Sequence, residues 1–568
     1  MKHQEIAKIF REIAKILDLK GENPFRIRAY EKAAQNIESL GEKLEVLVKE
    51  DKLTTIAGIG KDLAEKIKEV FKTGALKQYE ELKKNIPHGL LEMMEIPGLG
   101  PKTVRLIYEK LKIDTIERLE EAAKEGKLKG LEGIREKTEE NILRGIAFLK
   151  KGQSRTPLYL ALNIASNFID ILKKMKEVEK IQCAGSLRRR KETIRDIDIL
   201  IISKKSHLVM ERFATLPFVK EVLAKGETKS SVVSKENIQV DLRVVERGSF
   251  GSALMYFTGS KEFNIKFRQL AMKRGFKINE YGVFKKDKKL AGKTEEEIFS
   301  LMQMPYIIPE LREGRGEIEA ALNNQLPEIV DLKDIKGDLH IHSKYSDGAG
   351  TIEEIVKKAQ NLGYEYVGIC DHSQGLKVAS GLSIKEVYKK IEEIRKINKK
   401  SKVKVLCGTE VDITSEGHLD YPDSVLKEFD LVIAAIHSGF KQSKSQLTKR
   451  IISACKNRYV NIIAHPTGRL WGTRDAYEID LEEIFKVARD YKIALEINCF
   501  PQRLDLNDLN CLKAKKMKVK LALGTDAHIL EQLEAMHLGV SVAKRGWLER
   551  EDVLNCMSFK ELIKWLKK

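Results

Sequence analysis

The 568-residue sequence lacks any apolar run that approaches the roughly 18 residues of a candidate membrane span. It also lacks an apolar signal core near its start, where Lys2 and His3 are followed by Gln4 and Glu5. Its seven cysteines are odd in number and show no paired spacing, which argues against a disulfide framework. We therefore expect a protein of the reducing cytoplasm that does not engage a membrane.

Histidine is scarce before residue 338, where only His3, His88 and His207 occur, and most of the 11 histidines lie in the remaining segment. There they follow short β-branched apolar runs, and stretches with helical spacing, such as 351–362 and 481–490, lie between these runs. The pattern predicts seven parallel strands, near 338–342, 367–372, 405–410, 431–437, 462–465, 493–498 and 521–526. Because parallel strands that close into a barrel end at one face, the scattered histidines should form one cluster.

The predicted strand ends carry a set of nine candidate metal ligands. They are His340, His342, Asp347, His372, Glu410, His437, His465, Asp526 and His528. Imidazole and carboxylate donors without thiolates suit zinc, manganese or iron, and two or three clustered ions suit phosphoester hydrolysis. The competing interpretation is that some of them are core histidines bonded to carbonyl groups. It is the better one for any single histidine, but not for the whole ordered set.

The order of these ligands resembles the pattern of the PHP family, named after polymerases and histidinol phosphatases. The resemblance covers residues 337–568 and includes Ser346–Gly348, and all nine ligand positions of the family pattern are filled. It implies a distorted seven-stranded β/α barrel with a trinuclear site for Mn²⁺ or Zn²⁺. His418 and His537 fall outside the pattern.

Basic residues exceed acidic ones, 103 Lys and Arg against 84 Asp and Glu, which gives a formal net charge of +19. Such an excess indicates a polyanionic partner. Since 33% of all residues are charged, part of the excess also fits the solvated surface of a thermophilic protein. Charge alone is therefore weak support for nucleic-acid binding.

The first 150 residues have helical spacing and two similar glycine turns, Gly58-x-Gly60 and Gly98-x-Gly100, the second followed by Lys102. Such a turn exposes backbone N–H groups at a helix N-terminus, where a phosphate can bind. One copy alone is often only a helix connection. The two copies together resemble helix-hairpin-helix motifs, which implies that they hold a nucleic-acid backbone without reading bases.

Three carboxylates in the middle of the chain predict a nucleotidyl-transfer site. Asp196 and Asp198 alternate on a strand and so share a face, and Asp241 lies in a second strand-like run. Three carboxylates can hold two Mg²⁺ ions, which would activate a hydroxyl and hold a triphosphate. A glycine-rich turn with Gly185, Ser186 and nearby Arg189 would add donors for that triphosphate. A solvated strand edge is the competing interpretation, and the upstream Gly-Ser turn opposes it.

This region resembles the nucleotidyltransferase superfamily, and the segment 256–260 narrows the resemblance to family X DNA polymerases. The resemblance implies eight nucleotide-binding residues, namely Gly185, Ser186, Arg189, Tyr256, Phe257, Gly259, Asn264 and Arg268. Lys66 aligns with the catalytic lyase lysine of the family, but Asp62 and Arg26 stand where the family has lysines. The lysine would form a Schiff base with an abasic sugar.

Together the resemblances predict six segments: a lyase-like DNA-binding domain at 1–85, a second helical DNA-binding subdomain at 86–153, a palm at 154–255, a nucleotide-selecting subdomain at 256–315, a linker at 316–336 and the PHP domain at 337–568. We expect a monomeric DNA-directed DNA polymerase that uses deoxynucleoside triphosphates to fill short gaps in DNA repair. The PHP domain would act as a 3′–5′ exonuclease, with abasic-site endonuclease and 3′-phosphatase activity as further expectations.

Two other functions remain open from the sequence. Template-independent nucleotidyl transfer to RNA or antibiotics would need only the carboxylates, but the two glycine turns and the segment 256–260 oppose it. A DNA-binding scaffold with inactive sites is opposed by the complete carboxylate and metal-ligand sets.

Overall fold

The computed structural model describes residues 2–40, 43–55, 59–84, 86–94, 96, 99–131, 139, 142–143, 146, 155–471 and 474–567. The chain divides into two compact units, residues 1–154 and residues 155–568. In the described ranges, no helix combines the length and the apolar character that crossing a membrane requires. The predicted domain boundaries inside each unit stay predictions.

The described part of the first unit is mainly helical, as its spacing predicts. Its helices are Lys2–Leu19, Pro24–Leu40, Lys43–Lys49, Lys61–Thr73, Lys77–Lys84, His88–Met93, Pro101–Leu111 and Ile116–Lys124. The first of them buries Ile6, Phe10, Ile13 and Leu17, which recur every three or four residues on one face. Amphipathic faces of this kind pack into two apolar clusters rather than one.

The second unit begins with the polymerase-like region, whose main sheet has the strand order β2-β4-β7-β6-β5. Its strands are β1 Thr156–Pro157, β2 Lys180–Cys183, β3 Thr193–Ile194, β4 Asp196–Ile202, β5 Val219–Lys225, β6 Lys229–Ser234, β7 Gln239–Val245, β8 Lys277–Asn279, β9 Gly282–Lys285 and β10 Lys288–Ala291. Only β4 and β7 run parallel within the main sheet. Strands β1 and β3 pair separately, and β8 to β10 form a small antiparallel sheet.

Helices pack around these sheets and lead into the barrel. They are Leu158–Leu172, Gly185–Arg188, Ser206–Ala214, Phe250–Thr258, Lys261–Lys273, Glu295–Leu301 and Glu317–Leu322. The glycine-rich turn predicted after β2 is a single helical turn, Gly185–Arg188. The segment predicted as a linker contains the last helix of this list.

Seven strands in sequence order form the parallel sheet of the barrel, as predicted. They are β11 Gly337–Ile341, β12 Tyr366–Ile369, β13 Lys404–Asp412, β14 Leu431–Ala435, β15 Ile462–Ile463, β16 Ala494–Asn498 and β17 Leu521–Gly524. A parallel bridge between Ile341 and Ala527 brings the two edges together and nearly closes the barrel. All residues of β11, β12, β14, β15, β16 and β17 are buried, because the interior and the outer helices cover both faces.

The helices of the barrel region lie after successive strands. They are Ile352–Asn361, Ile384–Lys400, Asp423–Leu426, Lys444–Lys456, Leu481–Asp490, Asp508–Lys516, Met536–Arg545 and Phe559–Leu566. Capping boxes at Thr351, Ser383, Ser443 and Ser558 fix the starts of four of them. The strand-then-helix repeat therefore places every strand end, and the loop that follows it, at one rim.

Candidate active sites

The barrel rim brings the predicted metal ligands into one cluster. Three groups have ligand atoms that all lie within 4.8 Å of one another: His342, Asp347, His372 and His528; His340, His342 and Asp526; and His372, Glu410 and His437. His465, the ninth residue, joins through Glu410, whose Oε1 lies 2.9 Å from its Nε2. Six strands or their following loops therefore contribute to one site.

Glu410, near the end of β13, is the centre of this cluster. Its Oε1 lies 3.2 Å from Nε2 of His437, and its Oε2 lies 2.9 Å from Nδ1 of His372. The same Oε2 lies 3.6 Å from Nε2 of both His340 and His342. A carboxylate surrounded in this way can bridge ions bound by different histidines.

The electrostatics of the cluster keep its central carboxylate charged but divide its histidines into two groups. Burial alone raises the pKa of Glu410, but the neighbouring histidines hold it well below its ordinary value. Burial also lowers the pKa of His342 and of His465 to about 4. Burial also lowers the pKa of His340, His372, His437 and His528, but neighbouring carboxylates outweigh burial and raise it. Divalent cations bound here would take the place of the protons on these four imidazoles.

Buried nitrogens without partners give a second test of the fit. The Nδ1 atoms of His342 and His465 are buried and have no hydrogen-bond partner among the residues that the structure describes. Buried polar atoms are normally paired, and an unpaired imidazole nitrogen beside carboxylates is suited to a metal. The nine residues therefore fit divalent metal ions.

Two further carboxylates near the cluster, Glu496 and Asp412, were not predicted from the sequence. Oε1 of Glu496 on β16 lies 2.7 Å from Nδ1 of His340, and Oε2 of Glu496 accepts a hydrogen bond from the backbone N–H of His465. Asp412 lies 3.2 Å from Nδ1 of His437. Such contacts fix the orientation of metal-binding histidines. A charge inside the apolar run 493–498 was the one available hint for Glu496.

The three polymerase carboxylates meet on neighbouring parallel strands. Asp198 on β4 is the register partner of Asp241 on β7, and Asp196 lies two residues earlier on the same face as Asp198. Burial, followed by the charges of Asp196 and Asp241, raises the pKa of Asp198 to about 7. Lys229 lies 3.6 Å from Asp241, and Arg195 lies 3.3 Å from Asp196. A cation bound among the three carboxylates would relieve their mutual repulsion.

A cleft of about 690 Å³ lies beside these carboxylates, and all eight predicted nucleotide-binding residues line it. Asp196 and Asp198 line it as well. The Tyr256 and Phe257 rings meet edge to face at 5.1 Å, and Asn264 donates to the carbonyl of Tyr256 at 2.7 Å. The residues that the sequence predicts to bind the nucleotide therefore lie around one cavity. Their individual roles stay predictions.

Arg189 does not point freely into this cleft. Its Nε donates to Oε1 of Glu313 at 2.9 Å, and its Nη1 donates to the carbonyl of Thr258. Only 8% of the residue is exposed. A triphosphate would therefore compete with Glu313 for this guanidinium.

Gly185 allows the glycine-rich turn to approach the carboxylates. It has a φ of +62°, and a Cβ there would collide with Oδ2 of Asp198. We expect Gly185→Ala to reduce nucleotide incorporation severely, because Asp198 would be displaced from Asp196 and Asp241. Single-turnover incorporation on gapped DNA measures the effect.

Gly275 provides the matched control for this change. It also has a positive φ, +78°, but a Cβ there meets no heavy atom of the described residues within 4 Å. Gly275→Ala should cost only the strain of a left-handed backbone, about 1 kcal/mol of stability. Equal incorporation by the two variants would refute the steric role of Gly185.

The helix-hairpin-helix turns are described only in part. Gly60 and Gly100 precede helices Lys61–Thr73 and Pro101–Leu111 as their N-caps, and no side chain caps either helix. Lys102 lies in the first turn of the second helix. Gly58 and Gly98 lie outside the described residues. Two helix N-termini without side-chain caps are compatible with phosphate contacts.

Lys66 is not prepared as a nucleophile in this structure. Its ammonium contacts Asp62 and lies 5.4 Å from the centre of the Tyr30 ring. Burial lowers the pKa of Lys66, but hydrogen bonds to Asp62 and Tyr30 outweigh burial and raise it above the ordinary value. A Schiff base requires the neutral amine, which a raised pKa makes rarer at neutral pH.

Comparisons with known proteins agree with this architecture. Family models match a helix-hairpin-helix domain over residues 1–76, a SAM-like helix-hairpin-helix tandem over 90–147, the DNA polymerase beta thumb over 253–313 and the PHP domain over 338–499. Part of the chain also resembles shorter proteins. Probable phosphatases of Thermoanaerobacter sp. (strain X514) and Caldicellulosiruptor bescii are 33% and 36% identical over 38% and 34% of this chain, and over 89% and 79% of their own lengths.

One relative matches along its whole length. The DNA polymerase/3′-5′ exonuclease PolX of Bacillus subtilis (strain 168) is 40% identical over 573 residues, which span 100% of both chains. Such identity includes the helical unit, the polymerase-like region and the barrel in the same order. The chain therefore belongs to the family X DNA polymerases that carry a C-terminal PHP domain.

Proposed function

We propose that this protein is a DNA-directed DNA polymerase that fills short gaps during DNA repair and trims 3′ ends with its barrel. The observation that carries the proposal is the pairing of two complete sites in one chain. Three carboxylates lie beside a cleft lined by all eight expected nucleotide-binding residues, and nine metal-type ligands meet at the barrel rim. The proposed substrates are gapped or primed DNA and deoxynucleoside triphosphates, and the protein acts as a monomer.

In the polymerase site, Asp196, Asp198 and Asp241 would hold two Mg²⁺ ions. Bound Mg²⁺ supplies activation of the primer hydroxyl and stabilisation of the departing pyrophosphate. The backbone at Gly185 and Ser186 would receive the triphosphate at the start of a helical turn. Tyr256 and Phe257 would pack against the sugar and exclude a ribose hydroxyl.

In the barrel, the nine ligands would hold Mn²⁺ or Zn²⁺ at the scissile phosphoester. Bound ions supply a nucleophilic hydroxide and neutralise the leaving oxygen. The net charge of +19 makes a nucleic-acid phosphoester a more suitable substrate than a small phosphate. Abasic-site endonuclease and 3′-phosphatase activities use the same chemistry, and the probable phosphatases related to the barrel favour the second of them.

A primer-extension experiment tests this function. On gapped DNA with Mg²⁺, the protein should add the templated nucleotide, and without a template strand it should add none. With Mn²⁺, it should shorten a single-stranded 3′ end. Efficient untemplated addition would favour the template-independent transferase instead, and no activity in either assay would favour a DNA-binding scaffold.

The lyase activity proposed for Lys66 has its own pH dependence. Because Asp62 raises the pKa of Lys66, the neutral amine is depleted at neutral pH and accumulates as the pH rises. We therefore expect borohydride trapping on an abasic 5′ sugar to increase with pH. Asp62→Asn should lower the pKa of Lys66 and increase trapping several-fold at neutral pH.

A neighbouring carboxylate on the same helix controls for the charge change. Glu65 lies 2.7 Å from Lys68 rather than pairing with Lys66, so Glu65→Gln should leave trapping unchanged. An adduct that persists undiminished in Lys66→Ala, or the absence of an adduct at every pH, would reject the lyase role of Lys66.

A further inference from the structure

A buried arginine of the barrel reaches the wall of the nucleotide cleft. Arg545 ends helix Met536–Arg545, and only 1% of it is exposed. Its Nη1 donates to Oε1 of Glu313 at 2.8 Å and to the backbone carbonyl of Arg189 at 2.7 Å. Its Nη2 donates to Oδ2 of Asp508 at 2.7 Å. One guanidinium thus joins the barrel to two residues that line the cleft, Arg189 and Glu313.

Glu313 is shared between this arginine and the cleft. Its Oε1 also accepts a hydrogen bond from Nε of Arg189 at 2.9 Å, and both Glu313 and Arg189 line the cleft. Burial raises the pKa of Glu313, but Arg545 and Arg189 lower it to about 2. The carboxylate is therefore charged, and it divides its hydrogen bonds between two guanidinium groups.

A second contact anchors Arg545 on the barrel side. Asp508, at the start of helix Asp508–Lys516, also accepts a hydrogen bond from Arg315 at 3.0 Å. Arg315 lies just after Glu313 in the chain. Glu313 and Arg315 therefore both connect the segment beside the cleft to the barrel, and Arg545 itself is buried.

We propose that Arg545 is a positioning residue for nucleotide incorporation, which fixes the backbone of Arg189 and restrains Glu313 so that Arg189 can receive the triphosphate. This inference rests on the proposed polymerase function. It assigns to the barrel a part in binding the nucleotide, apart from any hydrolysis at its own rim.

Loss of Arg545 should act on nucleotide binding more than on the chemical step. Glu313 would be left with Arg189 as its main partner and would hold that guanidinium away from a phosphate. The Arg189 carbonyl would lose a buried donor, which loosens the loop beside it. The carboxylates Asp196, Asp198 and Asp241 lie on β4 and β7 and do not contact Arg545.

Steady-state gap filling by the full-length protein tests the proposal. For Arg545→Met we expect the KM for the incoming deoxynucleoside triphosphate to rise about tenfold, which corresponds to about 1.4 kcal/mol. The kcat should change much less, and Mn²⁺-dependent shortening of a single-stranded 3′ end should be unchanged. Arg545→Lys, which keeps one charged donor, should recover part of the affinity.

Lys544 is the matched control, because it is adjacent on the same helix and pairs at 2.9 Å with Asp331, which does not line the cleft. Lys544→Met should keep the parental KM. In a Glu313→Gln background, Arg545→Met should have a smaller effect than in the parent, since the two residues act together.

These measurements distinguish a failure of the Arg545 proposal from a failure of the proposed polymerase function. If the parent protein adds no nucleotide to gapped DNA, the proposed function fails. If the parent is active but Arg545→Met keeps its KM, the inference is wrong. Parallel loss of both activities together with a lower Tm, without rescue by Arg545→Lys, would show a merely structural role and would also overturn it.

Discussion

Asp198→Ala should lower gap-filling incorporation by roughly 10³-fold or more. The change removes the carboxylate whose pKa both Asp196 and Asp241 raise, so the site would lose one of the three ligands proposed to hold the two ions. Binding of gapped DNA should persist, because the proposed backbone contacts of the helical unit do not involve these carboxylates. Rapid-quench incorporation and a DNA-binding titration measure the two properties.

Two controls make this result specific. Asp170→Ala removes an exposed carboxylate of helix Leu158–Leu172 that accepts a hydrogen bond from Ser166. This variant should incorporate nucleotides at the parental rate. The 3′–5′ exonuclease of Asp198→Ala should also be intact. Robust incorporation by Asp198→Ala would refute the assignment of the carboxylates.

The second large effect is expected in the barrel. Replacing His342 and His465 together by alanine should abolish Mn²⁺-dependent hydrolysis of a single-stranded 3′ end. His342 belongs to two of the three ligand groups, and His465 contacts the central Glu410 at 2.9 Å. Gap filling should remain, since the polymerase carboxylates lie on another sheet. Gel analysis of labelled 3′ ends measures hydrolysis.

The two histidines outside the ligand pattern form the control pair. His418 and His537 are both exposed. Nδ1 of His537 contacts the backbone carbonyl of Glu534, which is not one of the nine ligands. Their joint replacement by alanine should leave hydrolysis and metal content unchanged. A His342 and His465 double variant that digests DNA as fast as the parent would contradict the metal-site interpretation.

The barrel could be predicted from the sequence because each strand has a local signal, a short apolar run followed by a ligand-type residue. Ile462–Ile463 is only two residues long as a strand, yet the apolar run before His465 marks its position, and parallel closure then gathers the strand ends. The polymerase carboxylates were accessible for a similar reason. Alternation along β4 places Asp196 and Asp198 on one face.

Residues that act through a distant partner could not be predicted in this way. Glu496 contacts a histidine 156 residues away, and Arg545 contacts the Arg189 carbonyl 356 residues away. No local spacing encodes such pairs. The pairing of Arg189 with Glu313, which leaves it engaged rather than free, is also a tertiary result.

The closure of the barrel has a consequence for how the two activities arise during folding. The bond from the Thr525 backbone to Asp338 joins residues 187 positions apart, and His340 and Asp526 of one ligand group meet only across this seam. Contacts of such sequence separation form late, because a long loop must be ordered first. The hydrolytic centre should therefore be completed only after Asp526 and His528 have been synthesised, so that a nascent chain without them would not hydrolyse DNA.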